Sequence, residues 1–224
     1  MTYRNLIEKI KTNYNYQFII FLIAHIIVWT IVPLLVAHRI GVDMAEHFYW
    51  GQEFQLGYYK HPPFSAWLVG IWFKIFPANH FFYFLFCQIN IAIGFIFIYR
   101  LAKEILKDDK KAFIATTILE FVSFYSYKSI FFRGMCCFNH DYILLSIWPI
   151  CAYYFYLTLK EDHLKNWILF GIFAGISMLS KYFSAIFLAS LFLVFLSHYH
   201  KNFFKKILSF NVLLSMALFF LVIS

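Results

Sequence analysis

The chain has 224 residues, 62% of them hydrophobic, 24% aromatic and only 13% charged. A soluble domain carries roughly 45–50% apolar and about 25% charged residues, so this composition excludes one, and the alternating strands of about 10 residues that a membrane β-barrel needs are absent. The net charge of +8 reads as the positive-inside bias of a polytopic helical membrane protein rather than as a nucleic-acid footprint.

Residues 1–17 are polar and hold Arg4, Lys9 and Lys11. Residues 18–37 form the first predicted span. It is longer than a signal-peptide core and no A-x-A site follows, so it reads as an uncleaved anchor, interrupted by His25 and Pro33. Residues 38–80 make an outward loop. Within it, residues 64–76 are apolar but short for a crossing, which fits an interfacial or re-entrant helix. Further spans are predicted over 81–99, 112–131 and 142–159, separated by charged linkers. The apolar run 167–197 would be roughly 46 Å long as one helix, beyond a hydrocarbon core of about 30 Å. Both its flanks are basic, so it is expected to cross twice, as helices 167–180 and 183–198 with a turn near Lys181. Gly171 and Gly175 form a G-x-x-x-G that permits close helix approach. Residues 207–223 are a seventh span. The expected fold is all-α, a single polytopic membrane module over 1–224 with about seven transmembrane helices.

Most of the 19 lysines and arginines fall in the tail and linkers placed inside. This orients the N-terminus to the cytoplasm and the 38–80 loop outward, into the periplasm of a bacterium. Cys87, Cys136, Cys137 and Cys151 show neither zinc-like spacing nor a disulfide framework.

Gly41 to Trp67, GVDMAEHFYWGQEFQLGYYKHPPFSAW, is the polar island of the chain outside its N-terminus. Asp43, Glu46 and His47 share a helix face at spacings of three and four. Two readings stand: an acidic first turn that favours the helix dipole, or a carboxylate poised as a general base. Lys60-His61-Pro62-Pro63 is a rigid corner, either a loop-to-helix junction or a mount for phosphate or metal contacts. Asp43, Glu46 and His61 are the candidates for a divalent metal ion. The outward cations Arg39, Lys60, Lys74, Lys128, Arg133 and Lys181 run against the topological bias, through snorkelling or for an anionic ligand. In Asn139-His140-Asp141, Asp141 is expected to cap the following helix. Glu120, midway along the third span, is a functional candidate or pairs with a lysine or hydroxyl inside the bundle.

The string D-x-A-E…Y-W-x-Q…G-Y-Y-K-H-P-P…A-W, with N-H-D before the fourth span and G-I-S-M-L-S-K-Y-F-S-A later, resembles the C-type (GT-C) membrane glycosyltransferases. More narrowly, it is similar to the protein O-mannosyltransferase and aminoarabinose-lipid A transferase group. The resemblance covers about residues 15–224. It implies a helical membrane core, a first outward loop with an essential aspartate, and transfer of a sugar from a polyprenyl-phosphate donor to an envelope lipid, glycan or protein. Asp43 matches the loop aspartate, the implied base, and Asp141 a second acidic position; Glu46 is the next acid in the first motif, where many relatives read Asp-Glu. His61 stands where the aminoarabinose transferases place a lysine that contacts phosphate and metal, and Lys60 where they place a glutamate. Lys181 matches the S-K-Y lysine. Lys60, His61, Arg133 and Lys181 are thereby the implied phosphate contacts. The implied partners are the lipid-linked sugar, the acceptor and the bilayer, with no nucleic acid. Family members commonly run longer, so a truncated or split product, a minimal module or a remnant is expected. The alternative function is a non-catalytic lipid-binding subunit needing a second chain for further spans.

Overall fold

The computed structural model describes residues 13–36, 40–126 and 138–224. Among the described residues the secondary structure is helical, without strands. The α-helices are α1 (Tyr14–Val36), α2 (Val42–Glu53), α3 (Phe64–Ile75), α4 (His80–Leu106), α5 (Asp109–Thr117), α6 (His140–Glu161), α7 (Leu164–Ser180), α8 (Ser184–Tyr199), α9 (Phe203–Ile207) and α10 (Phe210–Ile223). Of these, α1, α4 and α6 are long and apolar enough to cross a membrane, and α3, α7, α8 and α10 are shorter apolar helices. The outer face of α1 leaves Ile19, Ile23, Ile27, Ile31 and Leu35 exposed. A helix of this length that is apolar all round belongs in lipid, and the protein is an all-α membrane protein.

The core lies where α4 meets α1 and α6. Tyr83, Phe84 and Phe95 of α4 are fully buried. Without water to drive association, membrane helices rely on close packing and internal hydrogen bonds. Both occur between α4 and α6. A Cβ on Gly94 would stand 2.2 Å from the Leu145 carbonyl oxygen, so the backbones touch. Beside it, Ser146 donates to Asn90 Oδ1 at 2.5 Å, and Asn90 donates to the Tyr142 carbonyl at 2.7 Å. The G-x-x-x-G of α7 acts likewise toward α10: Gly171 lies against the Ser215 carbonyl and Gly175 against Val222.

The charged linkers gather at one end of the bundle. Lys103 of α4 donates to Asn15 of α1 at 3.0 Å, Lys160 of α6 reaches Glu104 at 2.8 Å, and Asn211 of α10 donates to the Asp162 carbonyl at 3.0 Å. The 41–67 segment and the start of α6 lie together at the opposite end. The apolar run turns at 181–183, with α7 ending at Ser180 there and α8 starting back at Ser184.

The segment expected to span 112–131 takes a different course. Helix α5 stops at Thr117, a single 3-10 turn covers Ile118–Phe121, and turns follow to residue 126; residues 127–131 lie outside the described residues. Thr116 and Thr117 donate to the carbonyls of Ala112 and Phe113, each at 2.9 Å, back-bonding that bends helices. Glu120 is drawn onto α1, where His25 meets it at 2.8 Å and the Trp29 indole donates to it. Its partners are thus an imidazole and an indole, not the lysine or hydroxyl expected. Cys87 and Cys151 are buried; Cys136 and Cys137 lie outside the described residues.

Candidate functional site

Helices α2 and α3 form a hairpin across the bundle end. They touch through glycines: a Cβ on Gly70 would lie 2.2 Å from the Gly51 carbonyl oxygen, and one on Gly51 2.5 Å from the Ala66 carbonyl oxygen. At 12 residues, α3 is about 18 Å long, short of a crossing. The connection is clamped by stacking of Tyr58 on Trp50 at 4.9 Å and by a 2.6 Å hydrogen bond from the Tyr58 hydroxyl to the Trp50 carbonyl. Pro63 takes helical backbone angles immediately before α3 and is buried with Pro62, so the Pro-Pro corner launches the helix.

Asp43 lies in the first turn of α2, exposed, and its carboxylate accepts from the Asn139 side-chain amide at 3.1 Å. Asn139 therefore joins the two ends of the site. Its Oδ1 also accepts from the backbone of Asp141 and Tyr142, both at 3.0 Å, making it the N-cap of α6. The cap expected at Asp141 is corrected: Asn139 reaches the free N–H groups first, which leaves the Asp141 carboxylate to pair with Lys181. Across the site, Glu46 pairs with Lys60 at 2.6 Å. That hydrogen bond, with a further one to Tyr59, holds the Lys60 ammonium above the usual lysine range. Both lysine–carboxylate pairs are partly exposed.

Beneath these surface charges runs a buried chain of polar groups. His47 Nδ1 faces the Asp43 backbone carbonyl, which only accepts, so that nitrogen carries a proton. Neutral His47 then accepts at Nε2 from Ser65 Oγ, 3.0 Å away. Ser65 has spent its proton there and accepts from His140 Nδ1 at 2.8 Å. The same His140 nitrogen faces the Ser180 carbonyl at 3.1 Å, which again requires N–H. Neutral His140 is left with a bare lone pair on Nε2, buried and without a partner among the described residues. The ring of His61 covers His140 at 3.9 Å between centroids, and His47 lies 4.3 Å away. Burial disfavours the charged form of His47 and lowers its proton affinity. The same holds for His61, where burial comes first and the Lys181 charge second, while Asp43 and Glu46 oppose. Three neutral imidazoles thus underlie a surface of two carboxylate–lysine pairs and Asp43.

Asp43, Glu46, Lys60, His61, Asp141 and Lys181 are therefore brought to one end of the bundle, whereas Arg133, like the outward cations Arg39 and Lys128, lies outside the described residues. Asp43, Glu46 and His47 are on one helix, but His47 turns inward while the acids stay outside. Among the described residues, no group of three or more His, Cys, Asp or Glu side chains is arranged to hold a metal ion; Asp43, Glu46 and His61, the expected candidates, do not converge on one. Residue spacing did not reveal Ser65 or the inward role of His140. The available signals were a serine directly after the Pro-Pro-Phe corner and a histidine inside the N-H-D string.

The profile of the family described as dolichyl-phosphate-mannose-protein mannosyltransferase matches residues 60–224. The chain is similar to the lipopolysaccharide core galacturonosyltransferase RgtA of Rhizobium johnstonii, 24% identical over 173 residues that cover 72% of this chain and 31% of that protein. It thus spans about a third of the length of that relative. No solved structure matches. With most of its length inside the family profile, this chain belongs to the dolichyl-phosphate-mannose-protein mannosyltransferase family of GT-C type membrane glycosyltransferases.

Proposed function

We propose that this protein transfers a sugar from a polyprenyl-phosphate donor to a cell-envelope lipid, glycan or protein, with Asp43 as general base. The observation that carries the proposal is an exposed carboxylate, oriented by Asn139, at a bundle end that also presents two lysines. Asp43 takes the proton of the acceptor hydroxyl as its oxygen attacks the anomeric carbon. The bond from that carbon to the phosphate oxygen breaks, and polyprenyl phosphate leaves with the electron pair. Its charge needs preorganised cations, and Lys60 and Lys181 supply them. Glu46 and Asp141 hold these lysines ready. Such solvent-screened pairs are weak, so a phosphate readily replaces the carboxylate. Arg133 is a further phosphate contact in this reading. The relative's name supports lipopolysaccharide as the acceptor class, and the positive-inside bias of the lysines and arginines supports a site facing the periplasm from a bacterial inner membrane.

The lipid-linked sugar profile of cells lacking the protein tests this reading. One polyprenyl-phosphate sugar should accumulate while one envelope component loses that sugar. An unchanged profile in both fractions contradicts it. A purified chain that binds the donor without turnover would favour the non-catalytic subunit.

A further inference from the structure

At the end of the bundle remote from Asp43, an open groove of about 460 Å³ runs along α4 between α1 and α6. About 30 Å of helix separates its polar end at Arg100 from His80, where α4 starts at the Asp43 end. The groove has two chemically different parts. Phe18, Ile19, Leu22 and Ile96 form an apolar wall; Arg100 and Tyr153 stand where the wall ends.

The charges at that end are unevenly satisfied. Glu104 is shared by Lys107 at 2.9 Å and Lys160 at 2.8 Å. Lys103 is held by Asp109 at 3.0 Å and by Asn15 at 3.0 Å. The Arg100 guanidinium lies over the Phe97 ring at 5.4 Å and has no carboxylate partner among the described residues. Arg100 is exposed. It thus presents donors without a carboxylate partner among the described residues, beside an apolar trough at the end of the predicted span 81–99.

We propose that this groove binds an anionic phospholipid of the leaflet at that end. The headgroup phosphate sits on Arg100, whose planar fork matches phosphate oxygens in pairs. The Tyr153 hydroxyl is within the same polar end, and one acyl chain lies along Phe18, Leu22 and Ile96. A free phosphate would leave the apolar wall uncovered, and a zwitterionic headgroup would bring its own cation to Arg100. The site is independent of sugar transfer. Its effect is to fix α1, α4 and α6 against one another below the charged linkers.

Native mass spectrometry of the full chain tests this, after exchange into detergent with equal phosphatidylglycerol and phosphatidylethanolamine. The wild type should retain one phosphatidylglycerol in preference to phosphatidylethanolamine. Arg100→Gln should lower that retention roughly tenfold, Arg100→Lys should keep part of it, and Lys201→Gln, at another exposed basic position, should leave it unchanged. Ile19→Trp, which fills the trough and spares the charge, should also remove the lipid. The proposal is overturned if Arg100→Gln retains phosphatidylglycerol like the wild type, if the two lipids are retained equally, or if inorganic phosphate alone displaces the lipid.

Discussion

The Asn139 side chain donates to the Asp43 carboxylate at 3.1 Å while its oxygen caps helix α6, so one amide fixes both the proposed base and the start of a spanning helix across 96 positions of sequence. These two duties separate by mutation. Asn139→Ala removes both and should cost about 1 kcal/mol of stability through the lost cap. Asn139→Asp keeps the cap but sets a like charge against Asp43. The repulsion takes the Asp43 carboxylate away from position 139, so transfer should fall while the retained cap keeps stability closer to wild type than in Asn139→Ala. Thermal unfolding and the transfer rate check the two expectations together.

The tautomers derived for His47 and His140 give a second prediction. Asn at position 140 keeps a donor where Nδ1–H meets the Ser180 carbonyl and Ser65, and deletes Nε2. His140→Leu leaves that carbonyl and Ser65 without their donor. Leaving a buried polar group unpaired costs about 1–3 kcal/mol, so His140→Leu should be clearly less stable than His140→Asn. Equal stabilities would remove the basis for the assigned proton on Nδ1.

The glycine contact between α2 and α3 gives a third. A Cβ at position 51 or 70 meets backbone, which cannot swing aside. Gly51→Ala and Gly70→Ala should each cost about 1–3 kcal/mol and separate the hairpin. Gly57→Ala meets nothing within 4 Å and should stay within about 0.5 kcal/mol of the wild type. Melting temperatures in detergent, with Trp50 emission as the local readout, distinguish the two classes.

The fourth prediction concerns pH. His47 binds a proton less readily when folded because burial disfavours its charge. The unfolded imidazole charges near pH 6.5, so below about that value the unfolded state holds more protons. Stability should therefore fall as pH drops from 6.5, until the folded imidazole charges too. In His47→Gln the decline between pH 7 and 5 should flatten. A slope unchanged by the substitution would assign the effect to other groups.

Much of this arrangement was readable beforehand, for identifiable reasons. Long apolar stretches allow few solutions in a bilayer, so α1, α4 and α6 were evident from composition. The turn at 181–183 followed from length and charge together, since a helix over 167–197 would outrun the hydrocarbon and both its flanks are basic. The third span was misjudged because apolarity does not record back-bonding by Thr116 and Thr117 or the pull of α1 on Glu120. The cap was misplaced by two residues because Asn139 and Asp141 are both good caps, and the choice depends on the helix starting at His140, which puts Asn139 rather than Asp141 before its free N–H groups. Asp43 and Glu46 stood out as acids in a polar island. Ser65 and His140 did not, because their meaning is a contact across 75 positions, which spacing along one helix cannot show.

The most direct measurement compares the purified wild-type chain with Asp43→Asn, using a radiolabelled polyprenyl-phosphate sugar and an envelope acceptor in lipid nanodiscs. General-base catalysis contributes about 10²–10⁴-fold. The account predicts a rate loss of that order for Asp43→Asn, with donor binding and melting temperature close to wild type. Transfer by Asp43→Asn at the wild-type rate would contradict it.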